Sequence, residues 1–169
     1  MKSIIVIALS LLFAAFGAVS TSNSQDVFYG GFEGTWEGTV RAKQIDLKSF
    51  DTTGTPTDVN CRIAVSGTNV HVFVFNKTKN EWAEVKANAF RIVSHKTSAI
   101  VYSIDSAADV MDKTGSGGWV ETWNFTITHK DKDTLYVDWV RGVNNYLSPP
   151  DKDGARFFFA GFGEMTRVK

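Results

Sequence analysis

The stretch Gly118 to Val143, GWVETWNFTITHKDKDTLYVDWVRGV, constrains this chain more than any other, because it alternates as two β-strands on either side of a polar turn. Side chains alternate along a strand, so Trp119, Glu121, Trp123, Phe125 and Ile127 share one face of the first arm. Val120, Thr122, Asn124, Thr126 and Thr128 share the other. On the second arm Leu135, Val137, Trp139, Arg141 and Val143 form the matching apolar set. Pairing Ile127 with Leu135 aligns the two sets and places Trp123 opposite Trp139 and Glu121 opposite Arg141. A slip of one residue would set Asp138 beside Phe125 on the inner face, so the aligned register is expected.

The rest of the chain repeats this pattern in shorter pieces. A first strand reads at Glu33 to Ala42, continuing toward Leu47, with Trp36, Gly38 and Val40 on one face. Further strands read at Cys61 to Ser66 and Val70 to Asn76 around Gly67-Thr68-Asn69, and at Glu81 to Lys86, Ala89 to His95, Ser98 to Asp105 and Arg156 to Val168. In the last of these FFFAGFGEM is apolar on both faces, so alternation leaves its inward side open. Phe50 to Asn60 and the Pro-containing Asn144 to Gly154 read as loops, and Ser106 to Gly118 as a loop with one helical turn at AADVM. About eight to ten strands joined by short connections cannot be parallel, so an antiparallel up-and-down β-barrel is expected, with a sandwich as the second architecture.

Length fits one domain, taken as 33–169. Residues 1–20 read as a signal peptide: Lys2, the apolar run IIVIALSLLFAAF, then small residues at Ala18-Val19-Ser20. A secreted or periplasmic protein with no stable membrane span after cleavage is expected, and 21–32 reads as a flexible lead-in. The mature chain is close to neutral and shows no basic patch, which argues against nucleic acid as a partner. Cys61 is the single cysteine, so no intrachain disulfide can form. Sequons occur at Asn76-Lys77-Thr78 and Asn124-Phe125-Thr126.

Chemistry concentrates on the inner face of the hairpin. Trp119, Trp123, Phe125 and Trp139 offer flat apolar walls, and Glu121 with Arg141 puts a charge pair among them, where a purely structural core would hold apolar residues at less cost. These six residues are the candidate ligand-binding set, for a small hydrophobic or amphipathic molecule. A filled barrel acting through its surface is the alternative, and an isomerase, cyclase or hydrolase using Glu121 as base is a third reading. His71, His95 and His129 lack metal-site spacing, and no cofactor or phosphate motif is present, so no metal, cofactor or catalytic residue is assigned.

Gly34-Thr35-Trp36, opening the first strand after a Gly-rich lead-in, resembles the G-x-W motif of the lipocalins and their calycin relatives. The resemblance implies an up-and-down barrel in which Trp36 plugs the closed end and an arginine near the C-terminus packs across it. Arg167 in EMTRVK is the first match for that arginine, and Arg141 the second. It also implies that the last strand pairs with the first and that the barrel binds a small, largely apolar molecule. With one cysteine and no helix-forming segment after the eighth strand, the resemblance holds at the level of the superfamily.

Overall fold

The computed structural model describes residues 31–47, 54–85, 89–107, 118–145, 152 and 155–169. Nine strands follow in chain order: β1 (Gly34–Asp46), β2 (Thr57–Ser66), β3 (Asn69–Asn76), β4 (Glu81–Glu84), β5 (Arg91–His95), β6 (Ser98–Ala107), β7 (Trp119–His129), β8 (Thr134–Asn145) and β9 (Arg156–Arg167). All pair antiparallel in one sheet of order β4-β3-β2-β1-β9-β8-β7-β6-β5. Chain neighbours are therefore sheet neighbours everywhere except between β4 and β5, and β9 returns to pair with β1. The sheet curls into a half-barrel around a single apolar core, and the isolated bridge Val70–Phe90 joins β3 to the residue preceding β5. No helix occurs among the described residues.

The two ends of the half-barrel differ. At one end lie tight turns: Gly67-Thr68, with Gly67 at φ +60°, Lys96-Thr97, with Lys96 at φ +54°, and residues 130–133. In the last of these the Asp131 carboxylate accepts a hydrogen bond from the Asp133 amide at 2.9 Å, which holds its pKa below the usual range. At the opposite end lie the last residue of β1 and the first of β2, the last of β6 and the first of β7, and the last of β8 and the first of β9, together with the turn at 77–80, where Asn80 has φ +55°.

Trp36 fills the turn end. It is wholly buried, donates its indole N–H to the Phe32 carbonyl at 2.9 Å, and has His129 edge-on with centroids 5.7 Å apart. The Arg167 guanidinium lies 4.3 Å over its ring and hydrogen-bonds the Glu33 carbonyl. Gly34 permits this arrangement: its φ is +108°, and a Cβ there would stand 2.8 Å from Arg167 Nη1. Beside the plug, Cys61 on β2 is fully buried, and burial pushes its thiol up to about 12, so it stays protonated and unreactive.

Alternation placed the hairpin faces correctly, since β7 and β8 bury every second residue over Glu121 to Ile127 and Leu135 to Trp139. The expected register is corrected by two residues: Ile127 pairs with Val137, Phe125 with Trp139, Trp123 with Arg141 and Glu121 with Val143. A slip of two leaves both faces unchanged, so periodicity cannot distinguish the registers. The observed one gains the His129–Leu135 pair and closes the turn with Lys130 N–H donating to the Thr134 carbonyl at 2.9 Å.

Other boundaries move for the same reason, that a neighbouring strand offers a ladder. Thr57 to Asn60, read as loop, pair with Thr39 to Ala42 and extend β2, and Asn144 and Asn145 continue β8. Phe32, assigned to the flexible lead-in, is fully buried, with its ring 4.6 Å from that of His129. The leader, the lead-in up to residue 30 and residues 108–111 of AADVM lie outside the described residues.

Candidate functional site

Successive pairings across β1, β9, β8, β7 and β6 define rows of inward-facing residues from the turn end to the loop end. One row is Val40, Gly163, Val137, Ile127 and Ala99; the next is Ala42, Gly161, Trp139, Phe125 and Val101. In both, every residue except the two glycines is buried. Above them come Gln44, Phe159, Arg141, Trp123 and Ser103, where Gln44 is exposed and Phe159 and Arg141 only half-buried. The last row is Asp46, Phe157, Val143, Glu121 and Asp105, of which Glu121 alone is buried. On the facing wall Val59 and Val74 are half-buried, whereas Ile63 and Val72, nearer the plug, are sealed. The inner face is thus closed below the Trp139 row and reachable by solvent above it, a cup that opens at the end opposite the plug.

One wall of the cup is aromatic. Trp123 stacks with Trp139 at 5.6 Å and with Phe125 at 6.3 Å, and Phe125 and Trp139 lie 6.1 Å apart at 11°. Phe159 extends the series to β9, 6.0 Å from Trp139 and within 5° of parallel, and Phe157 meets it edge-on. Rings stacked face to face on neighbouring strands stand up from the sheet, so their edges face the lumen.

The charge pair sits at the top of this wall. Arg141 Nε and Nη2 donate to Glu121 Oε2 at 2.9 and 2.6 Å, and the guanidinium carbon lies 4.8 Å over Trp123. Because of the two-residue shift the pair is diagonal, which frees the position opposite Arg141 for the indole it covers. Glu121 is 7% exposed, while Arg141 reaches solvent. Removing one partner from such a pair leaves the other charge uncompensated. Arg141→Met is accordingly expected to cost roughly 1–3 kcal/mol in urea unfolding, less than a fully buried pair because the guanidinium end is solvated. Arg141→Met/Glu121→Gln should recover most of that loss, and equal losses in the single and double variants would show that the pair is not the cause.

The indole N–H groups of Trp119, Trp123 and Trp139 are buried and have no hydrogen-bond partner among the described residues. Trp123 and Trp139 are 7% and 4% exposed; Trp119 is half-buried, two residues beyond Glu121 on β7. Buried donors are nearly always paired, so three orphans on one wall are exceptional. Trp36, by contrast, has its partner in Phe32.

All six candidate binding residues therefore belong to one wall, with Trp119 at its outer margin. Phe159, Phe157 and Gln44 join them without having been singled out in the sequence. The signal for the first two was present as Gly161 and Gly163, small residues alternating with Phe162, which pair with the inner positions Ala42 and Val40. Trp82, the remaining tryptophan, is elsewhere: on the outer face of β4 with Arg62 4.3 Å over its ring, and Arg62 held by Glu37. An apolar depression of about 560 Å³ lies on the outer face, lined by Arg41, Lys43, Pro56, Trp139, Val140 and Phe162 among others. Trp139 is shared between this depression and the cup, but the Trp119 and Trp123 donors and the Glu121–Arg141 pair belong to the cup alone, so the inner cup is the better candidate. Among the described residues no cluster of His, Cys, Asp and Glu could hold a metal. Comparison with protein-family models, curated proteins and solved structures finds no match for this chain.

Proposed function

We propose that the half-barrel is the wall of a lipocalin-like up-and-down barrel, and that the protein is an exported carrier or sequestering protein for a small hydrophobic or amphipathic molecule. The observation that carries this reading is the gradient along the inner face, sealed from the plug to the Trp139 row and open above it beside a wall of four stacked rings. Such a concavity, apolar with a few placed polar groups, is what small-molecule sites look like. The Arg167–Trp36 stack and the β1–β9 pairing support the lipocalin-like part. Export is supported by the leader-like sequence of residues 1–20. Glu121 as a catalytic base has less support, since its Oε2 already accepts two hydrogen bonds from Arg141.

The test is to make the whole chain through its own export route, purify it gently, and compare native with denaturing mass spectra. A reproducible small-molecule mass that disappears on denaturation, and that is lost in Trp139→Ala, is the expected result. An empty native spectrum together with tryptophan fluorescence indifferent to a panel of lipids and aromatic compounds would instead favour the filled barrel.

A further inference from the structure

The indole rings of the cup offer hydrogen-bond donors only, and the acceptors of the inner face, Glu121, Gln44, Ser103, Asp46 and Asp105, lie in the rows at and above Trp123 rather than at the Trp139 floor. Indole N–H and guanidinium groups donate and cannot accept. Three indole donors, on Trp119, Trp123 and Trp139, are buried without acceptors among the described residues, and the Glu121 oxygen nearest Arg141 is already shared by two guanidinium nitrogens. A buried donor left unpaired costs more than a hydrogen bond gains, so whatever satisfies these groups binds with that penalty removed. The lumen-facing ring edges add to this, because the edge of an aromatic ring is its electropositive part. Both features call for electronegative atoms on the incoming molecule. The apolar floor of Trp139 and Phe125 calls for a flat hydrocarbon body.

From this inventory, and resting on the carrier reading above, we propose that the cup selects a flat conjugated molecule whose buried end bears acceptor oxygens and no donors, such as an aryl ketone, a quinone or an aryl carboxylate. The ketone and carboxylate share the acceptor chemistry; the carboxylate additionally meets Arg141, and the ketone avoids Asp46 and Glu121 in the outer row.

Titration of the full-length exported chain with four probes on one hydrocarbon body tests this: naphthalene, acetonaphthone, naphthoate and naphthalenemethylamine, followed by tryptophan fluorescence. At least one of the two acceptor probes should bind about tenfold or more tighter than naphthalene, with the ammonium weakest. Whichever of the two is tighter identifies a neutral or an anionic acceptor. In Trp123→Phe/Trp139→Phe, which keeps an aromatic ring at each position and deletes two donors, the ratio of acceptor to naphthalene affinity should fall to within about threefold, with far-UV circular dichroism and urea unfolding as the check on folding. Equal binding of all four probes, or tightest binding of the ammonium, overturns the acceptor proposal and leaves the cup standing. An acceptor advantage that survives the double variant overturns it as well. Binding of none of the four sinks the proposal and the carrier reading together. If the variant fails to fold, the four probes on the unaltered chain still decide.

Discussion

Trp36→Ala is expected to lower stability by about 3–5 kcal/mol, the cost of truncating a fully buried aromatic residue where the surroundings cannot collapse. Few side chains here are held on more sides. Ile63 and Arg167 flank Trp36 in the ladder, His129 meets its edge, the Arg167 guanidinium covers its face and the Phe32 carbonyl takes its N–H. Truncation empties the indole volume and removes the surface on which Arg167 lies. For a domain whose total stability is on the order of 5–15 kcal/mol, that loss should appear as a fall in Tm of about 10 °C or more. Trp36→Phe keeps most of the volume and gives up the hydrogen bond, so about 1 kcal/mol is expected. Trp36 lies beyond the sealed rows, so at temperatures where Trp36→Ala remains folded its affinity for aromatic probes should be unchanged. A Tm within a few degrees of the parent, or probe binding lost from the folded variant, would contradict the role of Trp36 as a plug separate from the cup.

The contrast between plug and cup shows what was legible in the sequence. Period-two alternation is a local property, and it gave the inner and outer faces of β7 and β8 without error. Register is not local. Glu121 and Arg141 were expected to face each other directly, yet a shift of two residues preserves every face and turns them into a diagonal pair with Arg141 over Trp123. Only the turn at residues 130–133, closed by Asp131 and Thr134, selects between the two.

A second limit is composition. β9 carries apolar residues on both sides, so its contribution to the aromatic wall through Phe159 could not be assigned by alternation. The start of β2 was hidden in the same way, because Thr57 to Asn60 look like a loop until Thr39 to Ala42 supply their partners. Tertiary context wins in each case, as expected for strands, whose preference is largely set by their neighbours. The orphan indole donors could not be read at all, since an unmet hydrogen bond is a property of the packed state.

Close backbone approach is the other property that becomes visible only in three dimensions, and it leads to the second large effect. Gly38→Ala is expected to destabilise by about 3 kcal/mol, the upper end of overpacking penalties. A Cβ built at Gly38 would lie 1.9 Å from the Glu164 carbonyl oxygen and 2.7 Å from Met165 Cα, both backbone atoms of β9 that cannot rotate away. Gly163, two residues from Met165, presents the reciprocal problem, with its Cβ 2.0 Å from the Thr39 carbonyl oxygen of β1. A Cβ aimed into the neighbouring strand marks a seam where the β1 and β9 backbones approach too closely for a side chain, and glycine permits that approach. Gly142→Ala is the control. Its Cβ would meet only Thr122 Oγ1 at 3.2 Å, a hydroxyl that can turn aside, so a change within about 0.5 kcal/mol is expected. Urea unfolding at constant m-value separates the two cases. Should Gly38→Ala and Gly142→Ala prove equally tolerated, the β1–β9 seam would not be the close approach described, and the position of Phe159 in the aromatic wall would lose its structural cause. If Gly38→Ala alone collapses, the seam fixes the close approach that brings β9 alongside Trp139, and the shape of the cup depends on a residue with no side chain to contribute to it.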